Sequence, residues 1–241
     1  MFTILRKEIN AFLNSLIGYM VMIVFLTGVG LFFWVFPQTS VLEYGYASLE
    51  TLFSITPFIY LFLIPAITMR TFAEEKQAGT IELLLTRPLT SLQIVLSKYF
   101  ASLVLVFIAL LPTFTYYYTV YQLGSPVGNI DSAAVAGSYI GLLLLGAVFC
   151  AIGIFASVLT DNQIVSFVLA VFLCFLLYAG FSSIAEINIW ANFSYLIGKI
   201  GIDYHYNAMS KGLIDSRNVL YFLSVIVVFL YLTKLILDEK K

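Results

Sequence analysis

Residues 136–159 read AGSYIGLLLLGAVFCAIGIFASVL, twenty-four consecutive positions without a charged side chain or a proline. A helix crosses a hydrocarbon core of ~30 Å with ~20 residues, so this stretch is long enough to span a bilayer. Moving outward, Asp131 and Asp161 bound it, and charges cut the rest of the chain into segments of similar length. Further spans are expected near 16–36, 52–69, 95–119, 163–184 and 217–236. The last has only sixteen uncharged residues between Arg217 and Lys234. Both flanking side chains can reach along the helix to the interface, which makes up the length. The fold class is an all-α integral membrane protein of six transmembrane helices, a single domain over 1–241.

Composition agrees. Of 241 residues, 61% are hydrophobic and 10% are charged, with a mean hydropathy of +1.01. A soluble domain keeps roughly a quarter of its residues charged. The net charge of −1, with twelve Lys and Arg scattered among the spans, leaves no basic face for nucleic acid. Cys150 and Cys174 both lie in apolar runs and read as small packing residues, not as a disulfide or metal pair. Arg6 and Lys7 precede an apolar stretch too long for a cleavable signal, so the first span is expected to be retained.

Orientation follows from the basic residues. With the N-terminus inside, the inner segments carry nine Lys and Arg (Arg6, Lys7, Arg70, Lys76, Arg87, Lys98, Lys234, Lys240, Lys241) and the outer ones three (Lys199, Lys211, Arg217). That bias places both termini in the cytoplasm. Trp34 with Phe33 and Phe36, and Tyr116, Tyr117, Tyr118 and Tyr121, then fall at outer span ends, where aromatic belts sit.

Segments outside the spans carry their own patterns. Over residues 2–15, Phe2, Leu5, Ile9, Phe12 and Leu13 share one helical face, continued by Leu16, with Arg6, Lys7, Asn10 and Asn14 opposite. This is the pattern of a helix lying in the inner interface. Residues 185–216 are outer yet rich in Ile, Trp, Tyr and Leu, as expected of a re-entrant region buried against the protein. Around the fourth span, Ala133, Gly137, Gly141, Ala147 and Ala151 form a small-residue ladder that lets helices approach closely, first of all within the bundle. Pro57 and Pro65 in the second span and Pro112 in the third are expected to kink those helices.

Catalytic patterns do not occur: the chain has no GxxxxGK[ST], HExxH, GxSxG or CxxC. His205 is the only histidine and is expected to be solvated or interfacial in the outer loop. Ionisable residues crowd the span ends, with Asp161 in an inner turn and Lys98 near the inner mouth of span three. Ion-coupled transporters place such groups inside their spans, where each costs ~2.5–3.5 kcal/mol to insert. Energy for any transport is therefore expected from outside the bilayer.

The entry point is the inner segment 70–93. Residues 70–78 extend span two as a short charged helix that Gly79 can end, and 81–85 form a brief apolar helix. After Pro88, Thr90-x-x-Gln93 is a capping box opening the next helix. Such a hairpin, tied to spans two and three, can carry motion from a cytosolic partner.

This segment closely resembles the signature of type-2 (export-type, ABC-2) ABC transporter permeases. Matching positions are Arg70, Glu74, Glu75, Lys76, Gly79, Thr80, Glu82, Leu84, Leu85, Pro88 and Lys98. The N-terminal amphipathic helix, the six spans and the re-entrant region extend the resemblance over the whole chain. It implies a permease subunit of the bacterial inner membrane that is not itself an enzyme and carries no cofactor. ATP and Mg would be held by a separate ABC ATPase subunit, with a second permease copy or related membrane subunit completing a dimer. By position it places Arg70, Phe72, Glu74, Glu75, Lys76 and Gly79 at the contact with the ATPase. Thr80, Glu82, Leu84 and Leu85 would pack the hairpin against the membrane base.

Within that family, Phe2 to Glu8 with Asn14 to Tyr19, Arg70 to Pro88, and Gly201 to Arg217 resemble the permease subunits of gliding-motility ABC complexes of Bacteroidetes. That likeness implies an auxiliary gliding-motility membrane protein as a further partner. A different reading is a membrane anchor for an ATPase machine without cargo, favoured by spans that carry no polar stripe.

Overall fold

The structure, a computed structural model, describes residues 2–43, 45–82, 89–185 and 194–239, and every regular element among them is helical. Helix α1 (Phe2–Leu13) precedes the spans. Span one is α2 (Leu16–Gly30), opened by Ser15, whose hydroxyl accepts from the amide of Gly18, and continued by a π-helical turn over Leu31–Val35. Span two is α3 (Glu50–Thr68), followed after Met69 by α4 (Arg70–Gln77). Span three begins with α5 (Ser91–Leu110), where Thr90 and Gln93 cap each other as expected from their spacing. It passes a 3₁₀ turn at Leu111–Thr113 and ends in α6 (Phe114–Leu123).

Span four is the single helix α7 (Ser132–Leu159), with Asp131 accepting from the first free amides. Span five is α8 (Gln163–Phe175), a π-helical turn Leu176–Gly180 and α9 (Phe181–Ala185). Two short helices, α10 (Ser194–Ile200) and α11 (Ile202–Met209), lead to span six, α12 (Ser216–Asp238). All six predicted spans are helices long and apolar enough to cross a membrane.

Span four is the axis of the bundle. It packs on spans two, three, five and six, and its apolar run is the most thoroughly buried of the six. Spans one, five and six turn most of their surface outward, presenting Ile23, Val24, Val168, Phe172, Val227 and Val228. Apolar side chains on that scale are stable against lipid tails and not against water. The small-residue ladder works inside the bundle: Gly137 receives the backbone of Gly212, and Gly141 the side chain of Met209.

The prolines behave unequally. Pro112 coincides with the 3₁₀ turn in span three, whereas α3 runs on through both Pro57 and Pro65. Pro57 has no amide hydrogen for the carbonyl of Phe53, four residues earlier. The hydroxyl of Tyr206 donates to that carbonyl at 2.6 Å, replacing the missing bond. Helix α11 thus repairs the second span and is fastened by it, with Ile202, Tyr206 and Met209 buried.

His205 is more engaged than its place in an outer loop suggested. Its ring stacks on Tyr221 with centroids 3.9 Å apart and hydrogen-bonds Asn218 at 2.8 Å and the carbonyl of Lys199 at 2.9 Å. It staples α11 to the start of span six. On α1, Phe12 of the predicted face is buried, Leu5, Ile9 and Leu13 are half-buried and Arg6, Lys7 and Asn10 are exposed; Ile4 joins the buried side, while Phe2 points outward. An interfacial helix has two apolar contacts to make, one with the bundle and one with lipid, and a single stripe drawn through the sequence merges them.

Candidate functional site

The geometry of interest gathers at the base of the bundle, where ion pairs join α1 and α4. Helix α4 leaves span two at Met69 because a side chain interrupts the helical ladder there. Ser157 of span four donates its hydroxyl to the carbonyl of Met69 at 3.0 Å and accepts from the amides of Phe72 and Ala73 at 3.0 and 3.1 Å. A side chain inserted into the main-chain ladder is an established cause of a helix bend. The hydroxyl of Thr71 takes up the carbonyl of Thr68 at 2.7 Å, so the junction leaves few polar groups without partners. Phe72 and Ala73, fully buried, anchor the first turn of α4.

The two edges of α4 are then held by two lysines. On one edge, the carboxylate of Glu75 pairs with Lys98 of span three at 2.9 Å and with Lys7 of α1 at 3.1 Å. Lys98 is 1% exposed. Its ammonium also binds Glu8 of α1 at 3.0 Å, donates to the carbonyl of Thr71 and lies 4.9 Å from the ring centre of Phe72. Burial works against the charge on Lys7, but the hydrogen bond and charge of Glu75, with Glu8 and Glu74 nearby, outweigh it and hold that ammonium above its usual range. On the other edge, the ammonium of Lys76 donates to the carbonyl of Val158 and stands 3.6 Å from Asp161, in the turn between spans four and five.

What remains outward is the far side and tip of α4. Glu74 is half exposed and forms a bidentate pair with Arg70 at 2.8 and 3.0 Å; that hydrogen bond raises the pKa of Arg70. Gln77, Ala78, Gly79, Thr80 and Glu82 are exposed. Gly79 sits at φ +66, the left-handed geometry that ends a helix and that glycine adopts at least cost. The amide of Thr80 closes the turn on the carbonyl of Glu75 at 2.9 Å.

The predicted site residues therefore fall into two groups. Arg70, Glu74 and Gly79 form an outward ridge, joined by Thr80 and Glu82, which were expected to pack against the membrane base and are exposed instead. Phe72, Glu75 and Lys76 face the bundle, with side-chain exposures of 13% for Glu75 and 4% for Lys76. Leu84, Leu85 and Pro88 lie outside the described residues, as does the predicted apolar helix beyond Glu82. Sequence reasoning passed over Glu8 and Ser157. Glu8 lies midway between the buried Ile4 and Phe12 at four-residue spacing, so an acid in the buried stripe of α1 was the available signal. Nothing in the local pattern distinguishes Ser157 from an ordinary small residue of span four.

Six helices long and apolar enough to cross a membrane, with a short charged helix held at their base, make this a polytopic membrane protein. The chain belongs to the ABC-2 family transporter proteins, whose family model matches residues 2–241. It is thus a multi-pass membrane permease component of an ABC transporter, and the family association is with a separate ABC ATPase subunit. Among curated proteins, none matches the chain.

Proposed function

We propose that this chain is the membrane half of an ATP-driven exporter in a bacterial inner membrane, with both termini cytoplasmic and α4 as the element that docks on the ATPase. The observation that carries this reading is the division of α4 into a fastened face and a free ridge. Glu75, Lys76 and Phe72 hold the helix to the bundle, leaving Arg70, Glu74, Gln77 to Thr80 and Glu82 to meet a partner. A helix anchored on one face and free on the other passes a push to its support instead of swinging alone. ATP and Mg belong to the partner, which supplies the energy that the spans have no means to generate.

The second copy, or a related subunit, is assigned to the face made by spans one, two and five. A groove of about 740 Å³ runs there, lined by Met20, Val24, Phe32, Phe58, Phe62 and Phe167 among others. Two such faces opposed would enclose a path. The resemblance of residues 2–8, 14–19, 70–88 and 201–217 to gliding-motility permeases supports a role in cell movement, with an auxiliary membrane protein as an additional partner. The nearly unbroken apolar lining of the groove favours the second reading, a membrane anchor for an ATPase machine without cargo.

The test is the double reversal Glu74→Lys with Glu82→Lys, examined with the purified ATPase subunit. Affinity is expected to fall at least tenfold with the unfolding midpoint of the permease unchanged. Unchanged affinity would sink the docking assignment. Vesicles holding the complex separate exporter from anchor by whether ATP moves any solute or lipid across them.

A further inference from the structure

Lys98 is one ammonium shared by three pieces of the chain that the sequence keeps far apart. Its partners are Glu8 on α1 at 3.0 Å, and Glu75 at 2.9 Å and the Thr71 carbonyl on α4, while its own backbone lies two turns into span three. It is buried, so solvent screens these interactions little. Lys7 bridges the same carboxylate of Glu75, but its side chain is 61% exposed and its pairing is correspondingly screened. No other cation in the described residues is placed within ion-pairing distance of Glu8 from span three or α4.

We infer that Lys98 is a positioning residue that joins the interfacial helix α1 and the partner-facing helix α4 to span three, so that the three move as one body. This rests on the reading of α4 as the ATPase-docking helix. The opposite edge of α4 is tied separately, through Lys76, to the end of span four and the turn that follows. A displacement of α4 therefore divides into two branches: one through Glu75 and Lys98 to span three and α1, the other through Lys76 and Ser157 to span four. Loss of Lys98 leaves the first branch only the exposed Lys7–Glu75 pair and spares the second. A lysine serving only general stability would loosen both.

Spin-label distances in the full-length chain in nanodiscs distinguish these. Cys150 and Cys174 are fully buried, so cysteines introduced at the exposed positions Thr3, Gln77, Ile164 and Glu239 can be labelled selectively. In Lys98→Met, the Thr3–Gln77 distance distribution is expected to broaden at least twofold while Gln77–Ile164 keeps its width. Glu8→Gln, which removes a partly exposed carboxylate and leaves Lys98 paired with Glu75, serves if the first variant does not fold, and is expected to broaden Thr3–Gln77 alone. With the ATPase bound, ATP should shift Thr3–Glu239 in the unaltered chain and by less than half as much in Glu8→Gln, at unchanged ATPase affinity. An unaltered Thr3–Gln77 width in the folded variants, or equal broadening of both pairs, overturns the inference. Failure of the unaltered chain to bind the ATPase overturns the docking reading instead, and the partner-free distances still decide the role of Lys98.

Discussion

Thr68 and Gly153 are in contact so close that no larger residue fits: a Cβ built on Gly153 would stand 2.0 Å from Thr68 Oγ1 and 2.9 Å from its Cβ. The contact joins span four to the last turn of α3, one residue before the chain departs into α4. It sets how deeply Ser157, one turn further along span four, can reach into the junction.

Gly153→Ala should therefore destabilise the bundle by about 1–3 kcal/mol, the usual range for overpacking. Thr68→Ala in the same chain removes the nearer atom but leaves the Cβ, so it should recover part of the loss and not all. Thermal unfolding of both single variants and the double variant gives the coupling energy directly. A Gly153→Ala protein as stable as the parent would show that the helices separate freely here.

Ser157→Ala takes away the acceptor of two buried amides. Losing a helix-end partner costs about 0.5–2 kcal/mol, and leaving buried groups unpaired about 1–3 kcal/mol. The main effect should be local. Hydrogen exchange at Phe72 and Ala73 is expected to accelerate about tenfold or more, while amides in the middle of span four stay protected. Uniform acceleration along the chain would argue against a local role.

Tyr206→Phe removes the hydroxyl that serves the Phe53 carbonyl. A loss of about 1–3 kcal/mol is expected, larger than for a surface tyrosine, because Pro57 can offer nothing in exchange. Replacing Pro57 by Ala alongside should restore the main-chain bond and make Tyr206→Phe nearly silent. If the two effects simply add, the carbonyl is finding a partner elsewhere.

Lys7 gives a pH dependence with a definite sign. Its folded pKa lies above the ordinary lysine value of about 10.4, so its contribution is complete below that pH and fades as pH rises through the folded value. The difference in unfolding midpoint between the parent and Lys7→Gln should be constant from about pH 6 to 9 and close only above about pH 10.5. A gap that narrows below pH 9 would show that Lys7 is not held by Glu75 as described.

Much of the architecture was readable from charge spacing alone. Runs such as 136–159 have only one stable environment, and a capping box such as Thr90 with Gln93 is local chemistry that needs no tertiary knowledge. The charged helix 70–77 and its glycine stop were legible for the same reason. The division of that helix into a held edge and a free ridge was not. Glu74 and Glu75 are adjacent and chemically alike, and only the approach of Lys98 and Lys7 from elsewhere in the chain decides which turns inward. The partners of His205 were likewise not legible, because Asn218 and Tyr221 belong to a different helix. Sequence reveals what a residue can do; which neighbour asks it to is a matter of assembly.

The placement of span four has a consequence for how the protein is made. The most apolar of the six helices is the one least in touch with lipid in the finished bundle. During synthesis, however, each helix must partition into the bilayer before its neighbours are all present. The greasiness of this segment thus answers to an early, transient surrounding, while its glycines and alanines answer to the later, permanent one. A polar substitution on it that the mature core could accommodate would still fail if the nascent chain were rejected at the point of entry.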